Sequence, residues 1–172
     1  MAEDFDSENE ERKEDPFPNP LNEDEGLPGD GASLGEKEVA VVGVYEQHDQ
    51  TEGQPSSYVV LLRDSSKRSV PIWIGRFEAM AISLALEGAT ADRPLPYDMF
   101  NNVINRMGGH IERVLIDDLW SRTYYAKISI TYDGKAFDVD SRPSDAIAMG
   151  LRAKSPIYIA ESVLQNASVM EE

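Results

Sequence analysis

Residues 138–161 read DVDSRPSDAIAMGLRAKSPIYIAE, and this stretch decides the fold. A strand closes at Asp140. Pro143 suits the first position of a helix, where its missing N–H costs nothing, and Asp145 falls in the first turn, where the helix dipole favours an acid. That helix runs to Arg152, and Pro156 to Ala160 follows as a short apolar strand. Asp138, Asp140, Arg142 and Asp145 therefore crowd a strand-to-helix junction, where backbone N–H groups point at ligands. A run that only built core has no use for four charges within eight positions. Two more polar junctions lie upstream, IGRFEA at 74–79 and DRPLPYD at 92–98.

Outward from this junction, hydrophobic patterning predicts strands over Lys37–Gln47, Ser57–Arg63 and Arg68–Ile74, with Pro71 demoting the third toward an edge or bulge. Helices are expected at Phe77–Glu87 and Pro96–Met107. The first is apolar nearly all round, which predicts burial on more than one side. Strands follow at His110–Asp117, Arg122–Tyr132 and Lys135–Asp140, the last two joined by Asp133-Gly134, the strongest hairpin signal in the chain. Glu161–Ala167 reads as a last helix. Hairpins with helices set between them indicate an α+β (mixed α/β) fold: one compact domain on a mixed sheet with three to four helices.

The 172 residues carry 32 acids against 16 bases, a net charge of −16. Residues 1–36 account for thirteen of those acids and two of the bases, so residues 37–172 are left near −5. With few aliphatic residues, segment 1–36 is expected to be a disordered acidic tail, because it cannot bury enough apolar surface to offset its ordering entropy. The domain then spans 37–168, with 169–172 as a C-terminal end. There is no cysteine, so disulfides and thiolate metal sites are excluded. Without a basic, apolar leader or an 18-residue apolar run, the expected location is cytoplasmic.

The segments IWIGRFEAMAI, DRPLPYD, DDL, DSRPSDAIAMGLR and PIYIAESVL, in this order, resemble the bifunctional nuclease domain family over about Val39 to Ala167. The resemblance implies a compact α/β domain that assembles as a homodimer or higher homo-oligomer and hydrolyses DNA and RNA with low sequence specificity. Carried over by position, the implied site residues are Gly75, Glu78, Arg93, Asp98, Asp118, Asp140, Arg142, Ser144 and Asp145. One departure stands out: many relatives read R-P-x-T-H-D where this chain has Pro96-Tyr97.

Phosphodiester hydrolysis needs an activated water and neutralised phosphate charge, which carboxylates holding Mg²⁺ or Mn²⁺ supply. Glu78, Asp98, Asp140 and Asp145 are the catalytic candidates; Glu78, Asp118 and Asp145 are the candidate metal ligands. Arg76, Arg93, Arg142 and Ser144 are the candidate substrate-binding residues, the arginines through bidentate phosphate contacts. The same residues have structural roles open to them: first-turn acids favour their helices, and Asp140 with Arg142, or Asp145 with Arg93, could tie loops. Trp73 and Trp120 are stacking platforms or else core or interface residues. His48 and His110 have no Ser and acid at suggestive spacing, which argues against a hydrolytic triad. The acidic balance repels a polyanion. The alternative function is a non-catalytic oligomeric module that binds a protein partner or small anionic ligand at the Arg142–Asp145 junction. A third is a nucleic-acid-mimicking regulator acting through residues 1–36. Exposed apolar edges such as the Val59–Leu62 hairpin would form the oligomer interface.

Overall fold

The computed structural model describes residues 35–47, 57–89 and 91–170. The acidic segment 1–34 and the loop with His48 lie outside the described residues. The elements run β1 (Glu36–Gln47), β2 (Ser57–Asp64), β3 (Arg68–Ile74), α1 (Arg76–Leu86), α2 (Pro96–Arg106), β4 (His110–Trp120), β5 (Thr123–Tyr132), β6 (Lys135–Ser141), α3 (Pro143–Ala153), β7 (Ile157–Ala160), α4 (Glu161–Ala167) and β8 (Val169–Met170). The α+β mixed fold is as expected, with ends shifted by a few residues at most.

All strands join one sheet in the order β6-β5-β4-β7-β1-β2-β3-β8. Two antiparallel meanders, β1-β2-β3 and β4-β5-β6, flank β7, which pairs antiparallel with β1 and parallel with β4. The sheet curls: α4 touches both β3 and β4, and the Tyr124 hydroxyl on β5 donates to the Pro71 carbonyl on β3 at 3.2 Å. Burial suppresses ionisation of that phenol. At Pro71, β3 pairs with β2 alone, since β8 reaches only Arg68 and Ser69; an edge tolerates a residue that cannot donate. Val169 and Met170, assigned from sequence to the C-terminal end, thus extend the sheet.

The β5–β6 and β4–β5 hairpin tips differ in chemistry. Asp133 and Gly134 take φ of 50° and 70°, the left-handed pair that a two-residue turn requires. Ser121 and Arg122 adopt φ of 49° and 65° without either of the residues that favour it.

The core is aliphatic: Val60, Leu62, Val70, Ile82, Val114, Ile116, Ile147, Ile159 and Leu164 are all fully or almost fully buried. α3 lies against β4 and β5 and contacts α1 and α2. At Gly150 a Cβ would come within 2.9 Å of Val114 Cγ2, so the missing side chain sets how closely α3 approaches β4.

Three expectations fail here. Val59, Val60 and Leu62 are buried under neighbouring strands and helices and cannot form an interface. α1 is covered on one side only: Ala79, Ala81 and Ile82 are buried, but Phe77 is 79% exposed and Met80 51%. Of the roles open to Trp73 and Trp120, the core role fails, since both are exposed, and stacking and interface stay open. Side-chain periodicity identified the helices but not how many neighbours each would receive.

One charged cluster closes the sheet. Asp64 accepts from the Ser66 and Arg68 amides, each at 2.9 Å, and from Arg68 Nε at 2.8 Å. Arg68 also grips Glu161 on α4 at 2.6 and 3.0 Å. The Arg68 hydrogen bond draws the Glu161 pKa down to about 2. Burial raises the Asp64 pKa, but the hydrogen bonds and charge of Arg68 outweigh it, so its net shift is downward. Both folded pKa values lie below the unfolded ones, so the unfolded chain binds more protons in acid, and stability from this cluster is present above about pH 4.5 and lost as pH falls toward 2. Thermal melts between pH 5 and 2.5 should show the loss, and Arg68→Gln should flatten it. Equal slopes for both proteins would contradict the assignment.

Candidate functional site

Three helices carry an acid at their third position: Glu78 in α1, Asp98 in α2 and Asp145 in α3. An acid there can turn back and cap the helix. Asp98 does so, accepting the Leu95 amide at 2.8 Å. The other two carboxylates are bound to a cation between them. Arg142, the residue before α3, donates from Nε to Asp145 Oδ2 at 2.7 Å and from Nη2 to Asp145 Oδ1 at 3.2 Å. Its Nη2 also lies 2.9 Å from Glu78 Oε1. The starts of α1 and α3 therefore have no side-chain cap and are bridged by one guanidinium.

Two further features fix this cluster. A Cβ at Gly75 would overlap Glu78 Oε2, so only glycine lets that carboxylate lie back over the start of α1. The Tyr97 hydroxyl donates to Asp145 Oδ1 at 2.8 Å. Burial first, then the hydrogen bond and charge of Asp145, push the Tyr97 pKa well above the usual phenol value, so the phenol is a donor and not a base. The hydrogen bond and charge of Asp145 likewise raise the Arg142 pKa, and the guanidinium stays charged. Arg142 is 68% exposed while the Glu78 side chain is 16% exposed, so the cation faces solvent and the carboxylates sit behind it.

The cluster divides two cavities. One, of about 700 Å³, is almost wholly apolar, walled by Phe77, Met80, Tyr97, Phe100, Ile130 and Met149. The other, of about 540 Å³, is a polar cleft whose lining includes Arg76, Arg122, Arg142, Ser144, Trp73 and Tyr58. Glu78 reaches both, whereas Asp145 faces the apolar side. Three arginines thus line one cleft with Glu78, at the starts of α1 and α3, an arrangement suited to an anion.

Of the candidates from sequence, Arg76, Glu78, Arg142, Ser144 and Asp145 come together here. Asp98, Asp118, Asp140 and Arg93 line neither cavity. Asp98 pairs with Arg152 of α3. The Asp118 carboxylate accepts its own neighbour's amide, Leu119 N–H, at 2.7 Å. Asp140 is exposed on β6 opposite Lys127, and Arg93 is exposed in the loop before α2. The loop ties suggested from sequence, Asp140 with Arg142 and Asp145 with Arg93, give way to Arg142 with Asp145 and Glu78, because α1 and α3 pack side by side. Arg122 escaped the sequence reading: it read as a strand start, and only the curl of the sheet brings its hairpin to the cleft.

A divalent ion fits this geometry poorly. Among the described residues no group of three or more His, Asp and Glu is placed to hold a metal. Glu78 and Asp145 both bind Arg142, and an ion would have to take a carboxylate from it.

The bifunctional nuclease domain profile matches residues 59–172. An uncharacterized protein of Mycobacterium tuberculosis (strain H37Rv) is 40% identical over 134 residues, 77% of each chain. Bifunctional nuclease 2 of Oryza sativa subsp. japonica is 28% identical over 116 residues, 65% of this chain and 36% of its own. Bifunctional nuclease 2 of Arabidopsis thaliana is 27% identical over 109 residues, 61% of this chain and 33% of its own. The chain thus spans about a third of the length of these plant relatives.

Proposed function

The chain belongs to the bifunctional nuclease domain family, and from that premise we propose that it hydrolyses phosphodiester bonds of DNA and RNA with low sequence specificity. The observation that carries the reading is the cleft lined by Arg76, Arg122 and Arg142 together with Glu78. The arginines and the uncapped N–H groups of α1 and α3 bind the phosphate and offset its charge. Glu78, the carboxylate that reaches the cleft, takes the proton of the attacking water. The oxygen–phosphorus bond to the leaving group breaks, and the leaving oxygen takes a proton from solvent. Asp145, locked by Arg142 and Tyr97, positions Arg142. No step here runs through a metal ion. Since residues 37–172 are net acidic, substrate binding depends on this one basic cleft and weakens with salt.

The test is digestion of single- and double-stranded DNA and of RNA by purified protein, with Mg²⁺, with Mn²⁺ and with chelator. Cleavage is expected. Its dependence on the ions decides whether Mg²⁺ or Mn²⁺ is a cofactor. Absence of cleavage under every condition would favour the non-catalytic anion-binding module.

The same reading includes a homo-oligomer. Phe77, Met80, Met99, Phe100, Val103 and Met107 each expose about half or more of their surface along α1 and α2. At these partial exposures the face reaches the top of the ~300–600 Å² apolar patch usual on a monomer, which marks it as an interaction surface. Light scattering at micromolar concentration should give a multiple of the chain mass, and Val103→Glu should lower it. A monomeric wild type would remove this part of the proposal.

A further inference from the structure

We infer that the β4–β5 hairpin tip and Trp73 form a substrate clamp across the polar cleft, Arg122 holding a backbone phosphate and Trp73 stacking a base. This rests on the nucleic-acid reading of the cleft; it adds Arg122, which sequence did not single out, and assigns to Trp73 the stacking role that sequence left open.

The first observation is the tip itself. Two-residue hairpin turns require left-handed backbone at both positions and favour Asn-Gly or Asp-Gly. The chain uses Asp133-Gly134 at one tip. At the other it places Ser121 and Arg122 in the same conformation, with φ of 49° and 65°. Non-glycine residues held there cost on the order of 1 kcal/mol or more, and such positions cluster at ligand clamps. Lys67 and Lys154 also take this conformation, but singly; among the described residues Ser121 and Arg122 are the consecutive pair that does so without Gly, Asn or Asp.

The second observation is where the tip lies. Arg122, Thr123 and Tyr124 form one wall of the cleft, and Ile72, Trp73 and Ile74 another. The Tyr124–Pro71 hydrogen bond at 3.2 Å fixes the hairpin against β3 and sets the separation of the walls. Arg122 makes no ion pair among the described residues, unlike Arg142, which carries two carboxylates. Trp73 is 61% exposed although it stands in a strand beside fully buried Val70. An exposed guanidinium and an exposed indole lining one cleft are the pairing that backbone charge and an unpaired base require.

The measurement is fluorescence anisotropy of a labelled twelve-nucleotide oligothymidylate in chelator, with thermal melts of each protein. Ser121→Asn/Arg122→Gly installs the favoured turn, so its melting temperature should equal or exceed that of wild type while binding weakens about tenfold. Its salt dependence should lose about 0.7 from the slope of log affinity against log salt, as expected for one lost phosphate contact to a single strand. Trp73→Ala should weaken binding about tenfold, and Trp73→Phe should restore most of it. Binding by wild type and variants alike, or no binding by wild type, overturns the clamp. Variants that bind weakly beside a wild type that binds but cleaves nothing would uphold the clamp and remove hydrolysis, so the two readings fail separately.

Discussion

Glu78→Gln should reduce phosphodiester cleavage about 10²–10⁴-fold while leaving substrate affinity within a fewfold of wild type. Glutamine keeps an oxygen for Arg142 and fits the space over Gly75, but it cannot accept a proton. The pair it replaces involves a guanidinium that is 68% exposed, so its loss should cost at most about 1 kcal/mol of stability. An unchanged melting curve beside a collapsed rate would identify a proton acceptor. An unchanged rate would mean that Glu78 only holds Arg142, and the role of base would pass to another group or to solvent. Because the expected loss falls in kcat and that of the clamp variants in KM, steady-state kinetics separates the two sets of residues.

Asp98→Ala should be the most destabilising substitution at any candidate site residue, at about 3–5 kcal/mol, or a fall in melting temperature of roughly 10–20 °C. Among the described residues Asp98 is the sole partner of Arg152, whose side chain is 8% exposed and whose Nε and Nη2 are buried with no hydrogen-bond acceptor among those residues. Removing the acid leaves a buried charge uncompensated and also frees the Leu95 amide. Arg152→Met added to Asp98→Ala should recover most of the loss, because the stranded charge goes with it. A single variant that melts like wild type would show that the pair is solvated after all. Asp98 was a catalytic candidate from its place in the family motif. The structure gives it a structural task, so activity per folded molecule should survive in the double variant.

The elements were legible in the sequence, and so was the part of the site that lies at element junctions. Gly75, Glu78, Arg142 and Asp145 each mark a helix start, and turn chemistry finds helix starts without knowledge of tertiary structure. What stayed hidden depends on curl and on layering. Arg122 reaches the cleft because a sheet bends. Asp118 and Asp140, at equally promising junctions, point elsewhere for the same reason. The exposure of Phe77 and Met107 is invisible to periodicity, because an apolar stripe looks alike whether it meets a core or a surface. Tyr97, which stands where relatives often carry histidine, holds Asp145 through a hydrogen bond that only the packing of α2 on α3 makes available.

The position of β7 has a consequence for the life of the chain. Glu78 follows the first meander and Arg142 follows the second, and within the sheet the strand that joins the two meanders is β7, four residues placed after both. Each meander can form from local contacts as it is synthesised, but neither contains a whole cleft. Under the hydrolysis proposed above, a growing polypeptide would stay silent on the ribosome until Ile157–Ala160 has emerged and inserted between the halves. Competence arrives in one late step, with the closure of the sheet.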